Sequence, residues 1–187
     1  MIFTQTRLKG AFILDLERHE DGRGYFARTF CQQEFAAHGL KTEVAQANVA
    51  TNKKAGTLRG MHFQYPPAAE TKLVSCPRGA ILDVIVDLRP ESETFLQHCA
   101  VRLDQDNARA LYVPERFAHG YQTLVDQTDT SYLMGAVFAP DAAGGLLHDD
   151  PRLGLPWPLP VAVISDKDLT YRPLGESEGE LRRRMRA

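Results

Sequence analysis

Ile81-Leu82-Asp83-Val84-Ile85-Val86-Asp87-Leu88 has an aliphatic residue at every even position and two aspartates among the odd ones. That is the period of a β-strand with one fully apolar face and one mixed face. Asp83 therefore shares a face with Ile81 and Ile85. Working outward, similar β-branched runs occur at Thr71 to Cys76, Cys99 to Leu103, Ala110 to Val113, Gly120 to Leu124 and Thr130 to Phe138, separated by Gly, Pro, Asp and Asn. No helices alternate with them, so the spacing predicts an all-β sandwich or jelly roll rather than a βαβ fold.

The flanks are less regular. "CQQEFAAHGL", residues 31 to 40, reads as one short helix stopped at Gly39. "DDPRLGLPWPLP", residues 149 to 160, holds too many prolines for regular structure, and residues 176 to 187 form a charged tail with helical character. At 187 residues the chain suits a single domain.

Composition narrows the function classes. With 43% hydrophobic and 25% charged residues, and no apolar run near the roughly 20 residues that span a bilayer, the chain reads as soluble with no membrane partner. The start, MIFTQTRLKGAFIL, carries no secretory pattern, so the expected location is the cytoplasm. Cys31, Cys76 and Cys99 lack CxxC spacing, which argues against a disulfide framework or a structural zinc site and predicts buried thiols. A net charge of −2 leaves no basic footprint for nucleic acid, so an anionic ligand would need a few local cations.

Such cations exist. In Arg59-Gly60-Met61-His62-Phe63-Gln64, strict alternation sends Arg59 and His62 to opposite faces, but a bulge at Gly60 would bring both onto one. Lys72, His119 in "FAHG", and Tyr132 with Phe138 on one strand at shared parity could then meet at the mouth of the barrel. Taken singly, each has an ordinary reading: a strand histidine is usually a hydrogen-bonded core residue, and a tyrosine usually packs.

The blocks "DGRGYF" (21 to 26), "GTLRGMHFQYPP" (56 to 67), "TKLVSCPRGAILDVIVDLRPESETF" (71 to 95), "VPERFAHGYQTL" (113 to 124), "DDPRLGLPWP" (149 to 158) and "SDKD" (165 to 168) run in one order over nearly the whole chain. In them the chain resembles the dTDP-4-dehydrorhamnose 3,5-epimerases. The resemblance implies a cupin-type jelly roll and a homodimer in which an N-terminal strand crosses to the partner. It also implies no metal and no cofactor. In agreement, His62-Phe63-Gln64 lacks the HxH ligand pair of metal-binding cupins.

The family inverts stereocentres beside the C4 ketone of a 4-keto-6-deoxyhexose on a nucleoside diphosphate. By resemblance His62 is the base and Asp168 its carboxylate partner. Lys72 lies near the C4 oxygen, and Tyr132 is the acid on the opposite face. His119 pairs with Asp83 as a second dyad that orders the site and can hydrogen-bond the substrate. Arg59 and Arg23 hold the pyrophosphate, with Gln46 and Asn48 adding hydrogen bonds. Phe26 and Phe138 sandwich the base.

Three positions depart from the family, the mildest being Phe138, where the thymidine enzymes often have a tyrosine and stacking survives the loss of the hydroxyl. Arg28 stands where thymidine-specific members tend to have a glutamate that accepts from thymine N3, and an arginine cannot accept. It could donate to cytosine, donate to the thymine carbonyls, or face solvent. His148 stands where tryptophan is common, with packing as its simplest reading. Two rival readings share the fold: a 3,4-ketoisomerase, whose short chains lack the "DDPRLGLPWP" and "SDKD" segments, and a sugar-nucleotide binder without turnover, which would have no need of a base and an acid.

Overall fold

The computed structural model describes residues 1–186. Two antiparallel sheets face each other. The first runs β1 (Ile2–Gln5), β2 (Phe12–Asp15), β10 (Ala110–Val113), β7 (Lys72–Arg78), β12 (Thr128–Met134), β5 (Gln46–Asn52). The second runs β13 (Ala143–Gly145), β6 (Leu58–Gln64), β11 (Phe117–Thr123), β8 (Ala80–Asp87), β9 (His98–Asp104). Most neighbours in space are distant in sequence, which is the jelly-roll connectivity of the cupin type. A hairpin of β3 (His19–Asp21) and β4 (Gly24–Phe26) pairs with neither sheet. Within this single chain β1 is paired with β2.

Strand parity distributes the core. On β8 the odd residues Ile81 and Ile85 enter the space between the sheets with Val74, Leu103, Leu111 and Phe117. The even residues Val84, Val86 and Leu88 face outward, where Leu146, Leu153, Leu174 and Leu181 cover them. The fully apolar face thus lies under the C-terminal chain, and the mixed face with Asp83 lines the interior. Helix α3 (Leu174–Arg184) seals the outer layer with Leu174 and Leu181, seven residues apart on one stripe, while Arg184 stacks on Tyr65 at 3.6 Å.

Helix α1 (Gln32–Ala37) is too short to persist alone and is held by Phe35, which packs with Leu14, Leu73 and Tyr112 outside the first sheet. Gly39, at a φ of 70°, ends it with a bond from its N–H to the Ala36 carbonyl. Residues 149 to 160 contain neither helix nor strand, as their prolines demand.

Three sequence expectations need correction. The run from Thr130 does not continue to Phe138: β12 stops at Met134, so Tyr132 and Phe138 are not on one strand. Only Cys76 is a buried thiol, since Cys31 and Cys99 are half-buried. Strand β5 went unread because its sequence, QANVATN, is polar; as an edge strand it is paired on one side alone and has no need of an apolar run.

Candidate active site

The bulge at Gly60 is present. His119 on β11 pairs with His62 and Tyr121 with Arg59, so three steps on β6 oppose two on β11. Met61 and Phe63 consequently turn to the outer core, while Arg59 and His62 both face the interior. Gly60 adopts a φ of 126°, a conformation that favours glycine.

Asp168 reaches His62 from 106 residues away because the C-terminal segment is stitched to the start of β6. The Ala162 amide donates to the Gly56 carbonyl at 2.9 Å, and the Leu58 amide donates to the Val163 carbonyl at 2.8 Å. Helix α2 (Asp166–Leu169) follows, capped by Ser165, whose Oγ accepts from the Asp168 amide at 3.2 Å. His62 Nε2 donates to Asp168 Oδ1 at 2.6 Å, leaving Nδ1 as the nitrogen with a free lone pair. Burial pushes the Asp168 carboxyl up, but hydrogen bonds from His62, Gly60 and Ser165 outweigh it and hold the group below its ordinary value.

His62 stands where two cavities join. The outer one, about 680 Å³, is lined by Gln46, Phe138, Glu70, Asp168 and Tyr171 among others. The inner one, about 270 Å³, is lined by Tyr132, His119 and Tyr121. Both are also lined by Asn48, Arg59, His62, Lys72 and Met134, which makes them one continuous space. His62 belongs to the second sheet and Tyr132 to the first, so they occupy opposing walls of that space.

Lys72 shares inward parity with Val74 and Cys76 and is only 6% exposed. Its Nζ lies 2.6 Å from Glu70 Oε1, a buried ion pair. His119 Nε2 donates to Asp83 Oδ1 at 2.7 Å. Burial raises the Asp83 carboxyl above its usual range against the attraction of His119 and Lys72. Burial likewise drives the Tyr132 phenol well above its ordinary value, so it keeps its proton.

Phe138 is exposed at the outer rim, with its amide donating to Gln46 Oε1 at 3.0 Å. Arg23, Phe26 and Arg28 do not line this space. Arg23 is bound to Asp21 at 2.5 Å, Phe26 is 74% exposed, and Arg28 bonds Glu34 at 2.9 Å. His148 is buried, and its carbonyl accepts from Trp157 Nε1 at 2.7 Å. Among the described residues, no three His, Cys, Asp or Glu side chains cluster as a metal site requires, and no helix is long and apolar enough to cross a membrane.

Glu70, Asn52, Tyr121 and Tyr171 went unread. Parity alone could have found two of them: Glu70 lies two residues before Lys72, and Asn52 shares a face with Gln46 and Asn48. Nothing local marks Tyr171, whose ring lies edge-on to His62 at 6.3 Å and whose phenol is pushed up to about 12 by burial and by Asp168.

Residues 5–176 match the family model described as dTDP-4-dehydrorhamnose 3,5-epimerase. A relative of that name from Methanothermobacter thermautotrophicus is 39% identical over 178 residues, 94% of this chain and 95% of its own. A Bacillus anthracis dTDP-4-dehydrorhamnose 3,5-epimerase with TDP and PPi bound superposes with a TM-score of 0.88 at 38% identity, covering 91% of this chain and 98% of that one. ChmJ, a 3'-monoepimerase from Streptomyces bikiniensis in complex with dTDP-quinovose, gives 0.87 at 31% identity, covering 97% and 91%. The chain belongs to the dTDP-4-dehydrorhamnose 3,5-epimerase family, a family of isomerases.

Proposed function

We propose that this isomerase inverts C3, C5 or both in a 4-keto-6-deoxyhexose carried on a nucleoside diphosphate, dTDP in the first instance, within deoxysugar, rhamnose or surface-polysaccharide synthesis. One observation carries the reading: the His62–Asp168 dyad and the Tyr132 phenol stand on facing sheets around one cavity. A stereocentre beside a ketone is inverted by removing its hydrogen from one side and returning a proton from the other. Nδ1 of His62 takes the hydrogen, and the ionised Asp168 stabilises the imidazolium that results. The ammonium of Lys72 stabilises the enolate oxygen in a largely dry setting. Tyr132, protonated at neutral pH, returns the proton from the opposite wall.

The nucleotide requires a second copy. Arg59 and Phe138 line the cavity, whereas Arg23, Phe26 and Arg28 are exposed on or beside a hairpin that joins neither sheet. In a homodimer that hairpin enters the partner's site, where Arg23 joins Arg59 on the pyrophosphate and Phe26 closes on the base opposite Phe138. The relatives that hold TDP and dTDP-quinovose support a thymidine-diphosphate sugar as the ligand class.

The test supplies dTDP-4-keto-6-deoxyglucose in D2O. Deuterium enters C3, C5 or both, and His62→Ala abolishes it. Absence of exchange overturns the proposal in favour of a binding module, and a carbonyl carbon moved from C4 to C3 by NMR makes the protein a ketoisomerase.

A further inference from the structure

Tyr121 and Asn52 carry no role in the reaction as described, yet they form the polar wall behind Tyr132. Tyr121 is 1% exposed and Asn52 2%. The Asn52 amide is oriented by fixed partners: Nδ2 donates to the Thr128 carbonyl at 3.1 Å, and Oδ1 accepts from Arg59 Nε at 2.9 Å, a group that can only donate. Nδ2 also donates to the Tyr121 hydroxyl at 3.2 Å, so the Tyr121 proton must point elsewhere. Its partner within the chain is Asn52 Oδ1 at 3.3 Å, a long bond to an oxygen that also accepts the shorter bond from Arg59.

Tyr121 and Tyr132 have ring centroids 6.3 Å apart, and both line the inner cavity. Burial above all, and the neighbouring Tyr121 after it, favour the protonated form of the Tyr132 phenol. Delivery of that proton to the substrate leaves a largely buried phenolate that the Asp83 charge disfavours, which is costly unless a donor turns toward it. The Tyr121 proton is placed to turn, because it is held by a long bond of 3.3 Å and its ring lines the same cavity as Tyr132.

We propose that Tyr121, held by Asn52, is a positioning residue that swings its O–H from Asn52 Oδ1 to the Tyr132 oxygen as the acid step proceeds. The inference rests on the reading of Tyr132 as the acid. In that step the Tyr132 O–H bond breaks and a C–H bond forms from the enolate double-bond electrons. The C4 carbonyl is restored, and the oxygen of Tyr132 keeps the bonding pair. Tyr121 transfers no proton, and the one His62 abstracts exchanges with solvent from a side chain that is 44% exposed and lines the outer cavity.

The experiment compares Tyr121→Phe with Tyr132→Phe in D2O, measuring deuterium incorporation and inversion separately on the same sugar. Tyr121→Phe leaves abstraction by His62 intact, so exchange continues while inversion slows by roughly ten- to a hundredfold, the weight of one hydrogen bond to a charged group. The exchange-to-inversion ratio therefore rises, with the dTDP-induced thermal shift unchanged. A general packing defect would lower exchange and inversion together. If Tyr132→Phe raises the ratio and Tyr121→Phe does not, the Tyr121 inference is wrong and the acid assignment stands. If Tyr132→Phe leaves the ratio unchanged, the acid assignment fails and this inference fails with it.

Discussion

Gly60 on β6 lies so close to Gly120 on β11 that a β-carbon at residue 60 would sit 2.6 Å from the Gly120 Cα, and one at residue 120 would sit 2.8 Å from the Arg59 carbonyl oxygen. The bulge that unites Arg59 and His62 on one wall exists because neither strand presents a side chain at this crossing.

Gly60→Ala should cost about 1–3 kcal/mol for its φ of 126°, with the backbone clash adding to that. The variant should melt well below the parent in a thermal scan. Any folded fraction should lose activity, since a relaxed bulge turns His62 away from the cavity. A fully active Gly60→Ala would show that the register does not depend on this contact.

The side chains of Lys72 and Glu70 are both buried and paired at 2.6 Å. Lys72→Met strands a buried carboxylate and should destabilise the fold by about 3–5 kcal/mol, whereas Lys72→Met with Glu70→Leu should recover most of that loss. Turnover should stay depressed in both variants, because the enolate loses its cation. Recovery of activity together with stability would remove Lys72 from the chemistry.

Asp168 titrates below its ordinary value of 3.8. The stability it contributes is therefore complete above that value and is lost as the pH falls through the lower folded value. Asp168→Asn should be less stable than the parent at neutral pH, and the gap should close as acid is added. Its turnover should fall by about 10²- to 10⁴-fold, since the amide cannot stabilise an imidazolium by charge. A stability gap independent of pH would contradict the depressed carboxyl.

His62→Ala and Arg23→Ala should each be inactive alone, by loss of the base and of the pyrophosphate contact. Mixed and allowed to exchange subunits, they should regain about a quarter of parent activity, because half of the dimers would be mixed and each would hold one intact site. If mixing restores nothing, the hairpin serves its own chain.

At 100 times its dissociation constant, a nucleotide that binds only the folded state adds about 2.7 kcal/mol. For a chain of this size, that is roughly 2–4 °C of melting temperature per kcal/mol. We expect the largest shift with dTDP, compared with CDP, UDP and GDP. A larger shift with CDP would assign Arg28 to cytosine.

Much of this architecture was legible in the order of residues, because strand alternation is a local property. The run from Ile81 to Leu88 announced its two faces, the glycine in RGMHFQ announced a bulge, and the family blocks pointed to His62, Tyr132 and Lys72, which the fold gathers around one cavity. What local pattern could not convey is which distant segments come to rest against one another. The pairing of Asp168 with His62 depends on hydrogen bonds between the start of β6 and a proline-rich segment that has no periodicity to read. The confinement of Lys72 with Glu70, and the network of Arg59, Asn52 and Tyr121 behind Tyr132, arise only when the two sheets close on each other. Burial and hydrogen-bond partnership are properties of the assembled fold, and they turn a scattered list of polar residues into paired groups around one cavity.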